Sequence, residues 1–483
     1  MSFEPNRLGR SLQRPVSRRS FLKGAAAVGA AVVSGSALAA CTSTGASPKA
    51  SLSSKYNAAI DWQQAKGQTI HVPMQAAHAT TDALKKVLPE FEQLTGINVS
   101  VEELDWTVLH EKILADLQSG TGAYDALMHG CYTTPLYAKN KWVEDLSQYV
   151  QDSKLTDASW FAVNDLFEPS RELLKWEAGQ YGLPVYAQSD LLFYRSDLYS
   201  QAGLQVPTTL DEYAANAAKL NSPPNVYGAA EWSSKDQAPP IFFIWLHAYG
   251  GEYLNADWTP AINNEAGVEA LAAYADLMKR AGPPGVASWG FPECTEAFTT
   301  GKIAHTLEST VFGPGFQVAS SSVKGKVGYA VTPKGPVQTG WSSFAMSMAI
   351  SAKSAHKTAA WLFIQWALSK PVCKETTLNY ARGDSPRVST WTDEDVLAAW
   401  DKLGMKQWAE DTLQGMSKAV YPDAANPVDT SFEPRFPEYL QTREQLGIAI
   451  SSVIAGSDQP KSALDKAAQQ IKSILASAGY YKS

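Results

Sequence analysis

"TIHVPMQAAHATTDALKKVLPEFEQLTGINVSV", residues 69–101, decides the fold class of this chain. Its first six residues are a mainly apolar run of strand length, and its last five alternate between apolar and polar as a half-buried strand does. Between them, apolar residues recur at helical spacing over 82–94, and Gly96 is placed to end that helix. A strand, a helix and a strand at this spacing predict parallel strands joined by a helical crossover, which is the α/β class.

The same pattern continues beyond residue 101. Helical periodicity over 107–118 is followed by "YDALMHG" (124–130), which we predict to be a third strand. In open sheets of this kind, ligands bind beyond the carboxyl ends of the strands. Residues 75–81, 105–106 and 129–133 therefore form one candidate rim.

A second block of α/β character spans about 187–340. "LLFYR" and "KVGYAVTP" are predicted strands, and Thr209 precedes Glu212 by three residues, which is typical of a helix capping box. "WSSFAMSMAI" and a helix over 356–368 then resume the first block. Residues 391–478 are predicted to be mostly helical, with a Pro-rich break at 422–437.

The amino terminus has the features of an export signal. The pair Arg18-Arg19 precedes an apolar stretch rich in Gly and Ala, which is typical of the twin-arginine route. The stretch ends in Leu38-Ala39-Ala40-Cys41, which resembles the lipobox of bacterial lipoproteins, whose cysteine is acylated after cleavage. The alternative is a plain signal peptide cleaved at Ala-x-Ala, with Cys41 incidental.

Composition excludes several classes of function for the remaining residues. The formal net charge is −7, and residues 1–40 hold six basic residues and one acidic residue, so the rest carries about −12. This charge argues against a nucleic-acid partner. Cys131, Cys294 and Cys373 are widely spaced and odd in number, so buried thiols are expected rather than a disulfide framework. No later run of 18 apolar residues predicts a membrane span.

We find no sequence signature of an enzyme. The chain has no Gly-x-Ser-x-Gly elbow, no Walker-type phosphate loop and no Cys-x-x-Cys. His110-Glu111 begins a His-Glu-x-x-His pattern, but Leu114 stands where the second zinc ligand would be. A glycosidase needs only two suitably placed carboxylates, so the sequence leaves that alternative open.

Several longer segments carry a family resemblance. They are "GQYGLPVYAQSDLLFYRSDLYSQAGLQVPTTLDEY" (179–213), "FTTGKIAHTL" (298–307), "VGYAVTPKGP" (327–336), "SAHKTAAWLFIQWALSK" (354–370) and "VIAGSDQPKSALDKAAQQIKSIL" (453–475). Together they resemble extracellular solute-binding proteins of family 1, the receptors of ABC sugar importers. "YTTPLYAKNKWVEDL" (132–146), "AYGGEYLNADWTP" (248–260), "LMKRAGPPG" (277–285) and "SPRVST" (385–390) resemble the sorbitol/mannitol, or polyol, type. Gln188 stands where that family has an acidic residue, Trp106 where a polar residue is usual, and Trp341-Ser342-Ser343 replace its Trp-Leu-Trp run.

The resemblance implies a type II periplasmic-binding-protein fold. Such a fold has two lobes, each a mixed or parallel sheet flanked by helices, hinged by crossing strands. We expect a signal peptide over 1–40, a flexible tether over 41–67, lobe 1 over 68–186 plus 341–381, and lobe 2 over 187–340 plus 382–483. The expected crossings are 185–188, 340–343 and 382–386. Two such lobes can close on a ligand by hinge motion.

Candidate ligand contacts follow from the chemistry of sugars. Apolar C–H faces need aromatic plates, and hydroxyl rims need amide and charged side chains. The aromatic candidates are Trp106, Trp232 and Trp341, for which a place in the core is the alternative. The polar and rim candidates are Gln75, His78, His129, Tyr132, Gln188, Glu308 and Arg387. For all of them except His129 and Tyr132, a surface or helix-capping role is the alternative, and for His78 a buried imidazole is another. For Arg387 another alternative is an ion pair between the lobes, to an acid such as Glu308.

These observations predict a non-enzymatic receptor that delivers a sugar or sugar alcohol to an ABC permease. We expect it to be exported, lipid-anchored at Cys41 on the outer face of the cytoplasmic membrane, monomeric and without a cofactor. A secreted carbohydrate-active enzyme and a sugar sensor for a signalling partner are the alternatives.

Overall fold

The computed structural model describes residues 52–339, 343–418 and 434–481. The predicted signal peptide, Cys41, Trp341 and most of the predicted break at 422–437 lie outside the described residues. Residues 50–483 belong to one compact unit.

The described strands agree with most of the predicted ones. They are β1 (Thr69–Gln75), β2 (Asn98–Leu104), β3 (Ala126–Gly130), β4 (Lys175–Trp176), β5 (Gly179–Gln180), β6 (Leu183–Arg195), β7 (His305–Ser309), β8 (Val327–Val331) and β9 (Ser343–Ile350).

The described α-helices surround these strands. They are α1 (Leu52–Lys55), α2 (Ala79–Thr95), α3 (Trp106–Ser119), α4 (Thr134–Lys139), α5 (Ser147–Gln151), α6 (Ala158–Phe161), α7 (Glu168–Glu172), α8 (Ser196–Ala202), α9 (Leu210–Leu220), α10 (Ala238–Ala248), α11 (Glu265–Ala281), α12 (Phe291–Thr299), α13 (Lys357–Ala367), α14 (Lys370–Tyr380), α15 (Val388–Trp391), α16 (Glu394–Lys402), α17 (Lys406–Lys418), α18 (Tyr439–Ile454) and α19 (Pro460–Ser477). Short 3-10 helices lie at Cys131–Thr133, Val163–Asp165, Val286–Ser288 and Thr310–Gln317.

The opening β1–α2–β2 unit forms as predicted. β1 and β2 pair in parallel, from Thr69 with Asn98 to Gln75 with Leu104. His78 caps α2 by accepting the backbone N–H of Thr80, and Gly96 ends it with φ 67°, a left-handed conformation that glycine adopts without strain. The unit places Gln75 and His78 at the carboxyl end of β1.

The third predicted strand joins a different sheet from the one expected. β3 pairs antiparallel with β9, which pairs antiparallel with β6. β3 contacts β1 through His71, whose carbonyl accepts the Asp125 N–H and whose own N–H donates to the Asp125 carboxylate, both at 2.9 Å. Among the described strands, β1 and β2 thus form a parallel pair, whereas the five-stranded sheet of β3, β9, β6, β7 and β8 is antiparallel throughout.

β6 is the strand that links the two blocks of the chain. Its first half, Leu183–Ser189, pairs with β9, and its second half, from Asp190 onward, pairs with β7 and β8. The predicted crossing at 185–188 lies within this strand; of the predicted crossing at 340–343, only Ser343 is among the described residues, and it begins β9. A side chain near the middle of β6 can thus face the space between the two blocks.

The second block is organised around α10, a helix whose side chains are almost all buried. The apolar sequence "APPIFFIWLHA" packs against α11 and α18, which explains why it shows little amphipathic pattern. The capping box of α9 is present, with Thr209 and Glu212 bonding each other's backbone N–H groups. The three cysteines are buried as expected, and there is no disulfide among the described residues.

The segment after residue 382 packs against residues 166–167. Pro386 accepts the backbone N–H of Phe167, and Leu166 forms a bridge with Arg387. These partners belong to the range predicted for lobe 1, whereas the segment itself was assigned to lobe 2. The same segment also contacts β6, where the Asp384 carbonyl accepts the Ala187 N–H at 3.1 Å, and α17 makes further contacts with β6 and β8.

Candidate functional site

A cavity, partly open to solvent, lies beside the middle of β6. Its walls come from the carboxyl ends of β1 and β3, the starts of α2 and α3, β6, β9, and the helices of the second block. The lining residues are Gln75, His78, Trp106, Tyr132, Tyr186, Gln188, Asp190, Trp232, Gln237, Pro240, Phe291, Val311, Phe312, Phe344 and Arg443.

One wall is a cluster of aromatic side chains around Phe344. The ring centroids of Trp106, Tyr132 and Tyr186 each lie 6.2 Å from that of Phe344. These residues come from four separate elements, so the cluster exists only in the folded chain. Its faces can contact the C–H groups of a ligand.

A second aromatic group comes from the other block. Trp232 meets Phe291 edge to face at 6.0 Å, and Phe291 stacks on Phe312 at 5.7 Å. The Trp232 indole N–H donates to a Glu308 carboxyl oxygen at 3.1 Å, which fixes the orientation of the ring. The cavity therefore has aromatic surface on both sides.

Polar groups at the end of β1 are held in place by their neighbours. The Tyr186 hydroxyl donates to Gln75 Oε1 at 3.1 Å, and the His78 ring stacks on the Tyr186 ring at 4.5 Å. Burial lowers the pKa of His78, so the imidazole is neutral and can accept the Thr80 N–H. No described residue accepts a hydrogen bond from the Gln75 side-chain N–H groups, so these groups can donate into the cavity.

β6 contributes three side chains to the cavity at alternate positions. Tyr186, Gln188 and Asp190 share one face because side chains alternate along a strand. Asp190 is 8% exposed, and burial raises the pKa of its carboxyl to about 7. The end of the cavity near Asp190 is thus acidic.

The structure brings six of the ten predicted ligand contacts together. Gln75, His78, Trp106, Tyr132, Gln188 and Trp232 all line the cavity. Two others are near it without lining it, and these are His129 and Glu308. Trp341 lies outside the described residues, and Arg387 lies elsewhere.

His129 and Glu308 support the walls from behind. His129 is fully buried, and its Nδ1 lies 2.9 Å from the hydroxyl of Thr133, the residue that follows Tyr132 in the chain. Glu308 is also fully buried, and its carboxyl accepts Trp232 Nε1–H, the Thr295 hydroxyl at 3.4 Å and the Ser309 N–H at 2.9 Å. Burial raises the pKa of Glu308 to about 8. The prediction that these two side chains contact ligand directly is corrected to a supporting place.

Arg387 does not line the cavity, and this prediction is corrected. Its guanidinium is fully buried and donates to the carbonyls of Phe161 at 2.7 Å, Ala162 at 3.2 Å and Leu368, and to the Asp165 carboxylate at 3.0 Å. Arg387 does form an ion pair, as the alternative interpretation states, but its partner is Asp165 rather than Glu308. Its donors are used within the protein, so few remain for a ligand.

Sequence reasoning missed nine lining residues. Tyr186 and Asp190 could have been found from the alternation of β6 around Gln188. The remaining ones, Gln237, Pro240, Phe291, Val311, Phe312, Phe344 and Arg443, come from distant elements and carry no local signal. Arg443 lies with its guanidinium 5.6 Å from the Tyr132 ring centroid, so α18 reaches the first block here.

Neither a metal-ion cluster nor a membrane-spanning helix is present in the part of the chain that the structure describes. No group of three or more His, Cys, Asp or Glu residues there could hold a metal ion. No described helix is long and apolar enough to cross a bilayer.

Comparison with known proteins gives two family matches. The model of the bacterial extracellular solute-binding proteins matches residues 77–372, and that of the twin-arginine translocation signal sequence matches residues 15–35. The second match confirms the predicted export route.

Similar individual proteins agree with this. The erythritol/L-threitol-binding protein of Mycolicibacterium smegmatis is 27% identical over 466 residues, covering 92% of this chain and 94% of its own. The mannitol-binding protein of Pseudomonas aeruginosa is 28% identical over 411 residues, covering 78% and 88%.

Solved structures of ABC transporter solute-binding proteins have the same fold. One from Agrobacterium radiobacter K84 in complex with ribitol has a TM-score of 0.75 and 30% identity, covering 85% of this chain and 99% of that protein. One from Agrobacterium vitis S4 with bound D-mannitol has a TM-score of 0.76 and 26% identity, covering 86% and 100%. The predicted two-lobed type II fold is confirmed, and the family consists of binding proteins rather than enzymes. This chain is a member of the bacterial extracellular solute-binding protein family of ABC transporters.

Proposed function

We propose that this protein captures a small linear polyol in the cavity beside β6 and delivers it to an ABC permease. The observation that carries the proposal is the pairing of aromatic surface on both sides with a few polar groups between them. A polyol presents C–H groups along its chain and a hydroxyl on each carbon, and both kinds of group find partners here. Relatives that bind erythritol, threitol, ribitol and mannitol support this choice of ligand.

We assign roles to the lining residues on this basis. Trp106 and Trp232 supply apolar faces, while Gln75 and Gln188 each offer an amide that can both donate to and accept from hydroxyls. Tyr132 and His78 complete the wall of the first block.

Ligand capture involves closure of two lobes that meet along β6 and β9. The first comprises 68–186 and 341–381, and the second comprises most of 187–340 and the carboxyl-terminal helices. Because the lining comes from both, only a closed form contacts the ligand on all sides. We place residues 382–391 in the first lobe, because they contact residues 166–167.

The exported protein is anchored by acylation of Cys41 and acts as a monomer. A twin-arginine signal followed by Leu-Ala-Ala-Cys supports this proposal. An acyl anchor would hold the receptor beside its permease, and the following polar stretch would let it dock.

Isothermal titration with erythritol, ribitol, D-mannitol, maltose and glycine tests the ligand class. We expect binding of at least one linear polyol and none of glycine, with the recovered polyol unchanged by NMR. Trp106→Ala should weaken polyol binding about tenfold, since the loss of an aromatic contact of about 1.5 kcal/mol corresponds to that factor.

Trp160→Ala is the matched control. Trp160 is also a half-buried tryptophan of the first block, but it packs on Trp62 at 5.4 Å and does not line the cavity. Its substitution should leave affinity unchanged. Absence of binding to all three polyols, or consumption of a polyol, would reject the proposal.

A further inference from the structure

Three buried carboxyl groups lie close together in the second block, and only one of them opens into the cavity. They are Asp190, Glu231 and Glu308, and the charge of Asp190 contributes to the raised pKa of the other two, after burial. Of the three, only Asp190 lines the cavity.

Each of the other two carboxyls already accepts hydrogen bonds from several protein donors. Glu231 accepts the Tyr213 hydroxyl at 2.9 Å and the Trp245 indole N–H at 3.0 Å. Glu308 accepts three donors, as described above. Both groups are therefore parts of the structure rather than ligand sites.

The side chain of Asp190 has no such donor among the described residues. Its backbone is fixed, because it is paired with Ser309 in β7 and its carbonyl accepts the Thr332 hydroxyl at 3.2 Å. Burial is the cause of its raised pKa. Asp190 is more than nine-tenths buried and held rigidly. Burying a carboxyl without a protein hydrogen-bond donor costs free energy of folding unless a ligand supplies the donor.

We propose that Asp190 is a specificity-determining residue whose carboxylate accepts hydrogen bonds from adjacent hydroxyl groups of the ligand. This inference rests on the proposed function. Two carboxylate oxygens can accept from two neighbouring hydroxyls, and hydrogen bonds of this charge-assisted kind are stronger than neutral ones. The same carboxylate repels a ligand that carries an acid, so the site selects alditols over the corresponding aldonates.

The test compares wild type, Asp190→Asn and Glu231→Gln by calorimetric titration at pH 8 with erythritol, ribitol, D-mannitol and ribonate. Asp190→Asn keeps the size but replaces one acceptor oxygen with a donor. It should weaken binding of the alditol that wild type binds by roughly tenfold to a hundredfold, the range for a hydrogen bond to a charged group. It should also lower the preference for ribitol or D-mannitol over ribonate at least fivefold. Glu231→Gln, a buried carboxyl outside the cavity, should stay within twofold of wild type.

Melting of the ligand-free variants separates ligand contact from structural support. Asp190→Asn should melt at the same temperature as wild type or higher, because it removes an unpartnered charge. Weaker binding together with a lower melting temperature would overturn the inference, as would unchanged affinity or an unchanged alditol-to-aldonate preference. If wild type binds none of erythritol, ribitol and D-mannitol, the proposed function fails and the inference fails with it; if wild type binds one of them and Asp190→Asn binds it equally well, only the inference fails.

Discussion

Substitution of Arg387 by alanine should destabilise the protein without weakening ligand binding by the folded state. The change removes a fully buried guanidinium and leaves the carbonyls of Phe161, Ala162 and Leu368 without these donors. The Asp165 carboxylate loses its ion pair, although it still accepts the Ser389 N–H and hydroxyl. Removal of one partner of a buried ion pair costs about 3–5 kcal/mol.

This cost converts into a measurable shift of the melting temperature. With an unfolding entropy of about 2.1 cal/mol/K per residue and about 430 folded residues, 3–5 kcal/mol lowers the melting temperature by about 3–6 °C. Arg387→Lys should fall between wild type and alanine, because it keeps the charge but not the planar set of donors. Arg280→Ala is the control, since Arg280 is 71% exposed and, among the described residues, its one ion-pair partner is Asp276 on the surface.

The assay is a thermal melt of each variant without ligand, followed by titration with the polyol that wild type binds. We expect Arg387→Ala to melt early and to bind with an affinity within about twofold of wild type. The reasoning would be refuted by the opposite result, a wild-type melting temperature together with a tenfold or greater loss of affinity. That outcome would indicate that Arg387 contacts the ligand.

Three further predictions concern the anchor, the buried carboxyl groups and lobe closure. Cys41→Ala should move the protein from the membrane fraction to the soluble fraction with unchanged ligand affinity, and continued membrane association would reject acylation at this residue. Between pH 6.5 and 8 the melting temperature of the ligand-free protein should fall. The folded-state pKa values of Asp190, Glu231 and Glu308 are raised to about 7, 7 and 8, so stability is lost as pH rises through these values. A melting temperature that rises over this range would contradict those protonation states. Saturating polyol should reduce the radius of gyration measured by small-angle scattering, and an identical profile with and without ligand would argue against lobe closure.

The elements that could be predicted are those whose signals are local. The β1–α2–β2 unit has a buried strand, an amphipathic helix and a terminating glycine within about 35 residues, so periodicity alone identifies it. The capping box of α9 is likewise contained in four residues, Thr209 to Glu212. Gln75 and His78 were found because they follow a predicted strand, where ligands bind in such folds.

The features that could not be predicted depend on distant pairings. β3 was placed beside β1 and β2, but its ladder partner is β9, more than 200 residues further along the chain. Phe344 and Arg443 reach the cavity for the same reason, through tertiary packing that no local pattern encodes. Arg387 was misplaced because a position near a crossing segment does not reveal that its donors are used by the chain's own carbonyls.

The most direct test of the account is a crystal structure of the protein grown with saturating ribitol or D-mannitol. We predict an intact, linear polyol in the cavity beside β6, with its carbon chain between Trp106 and Trp232 and two hydroxyls within hydrogen-bond distance of Asp190. A polyol bound at another place, or one bound in this cavity without contacts to Trp106, Trp232 and Asp190, would contradict the account.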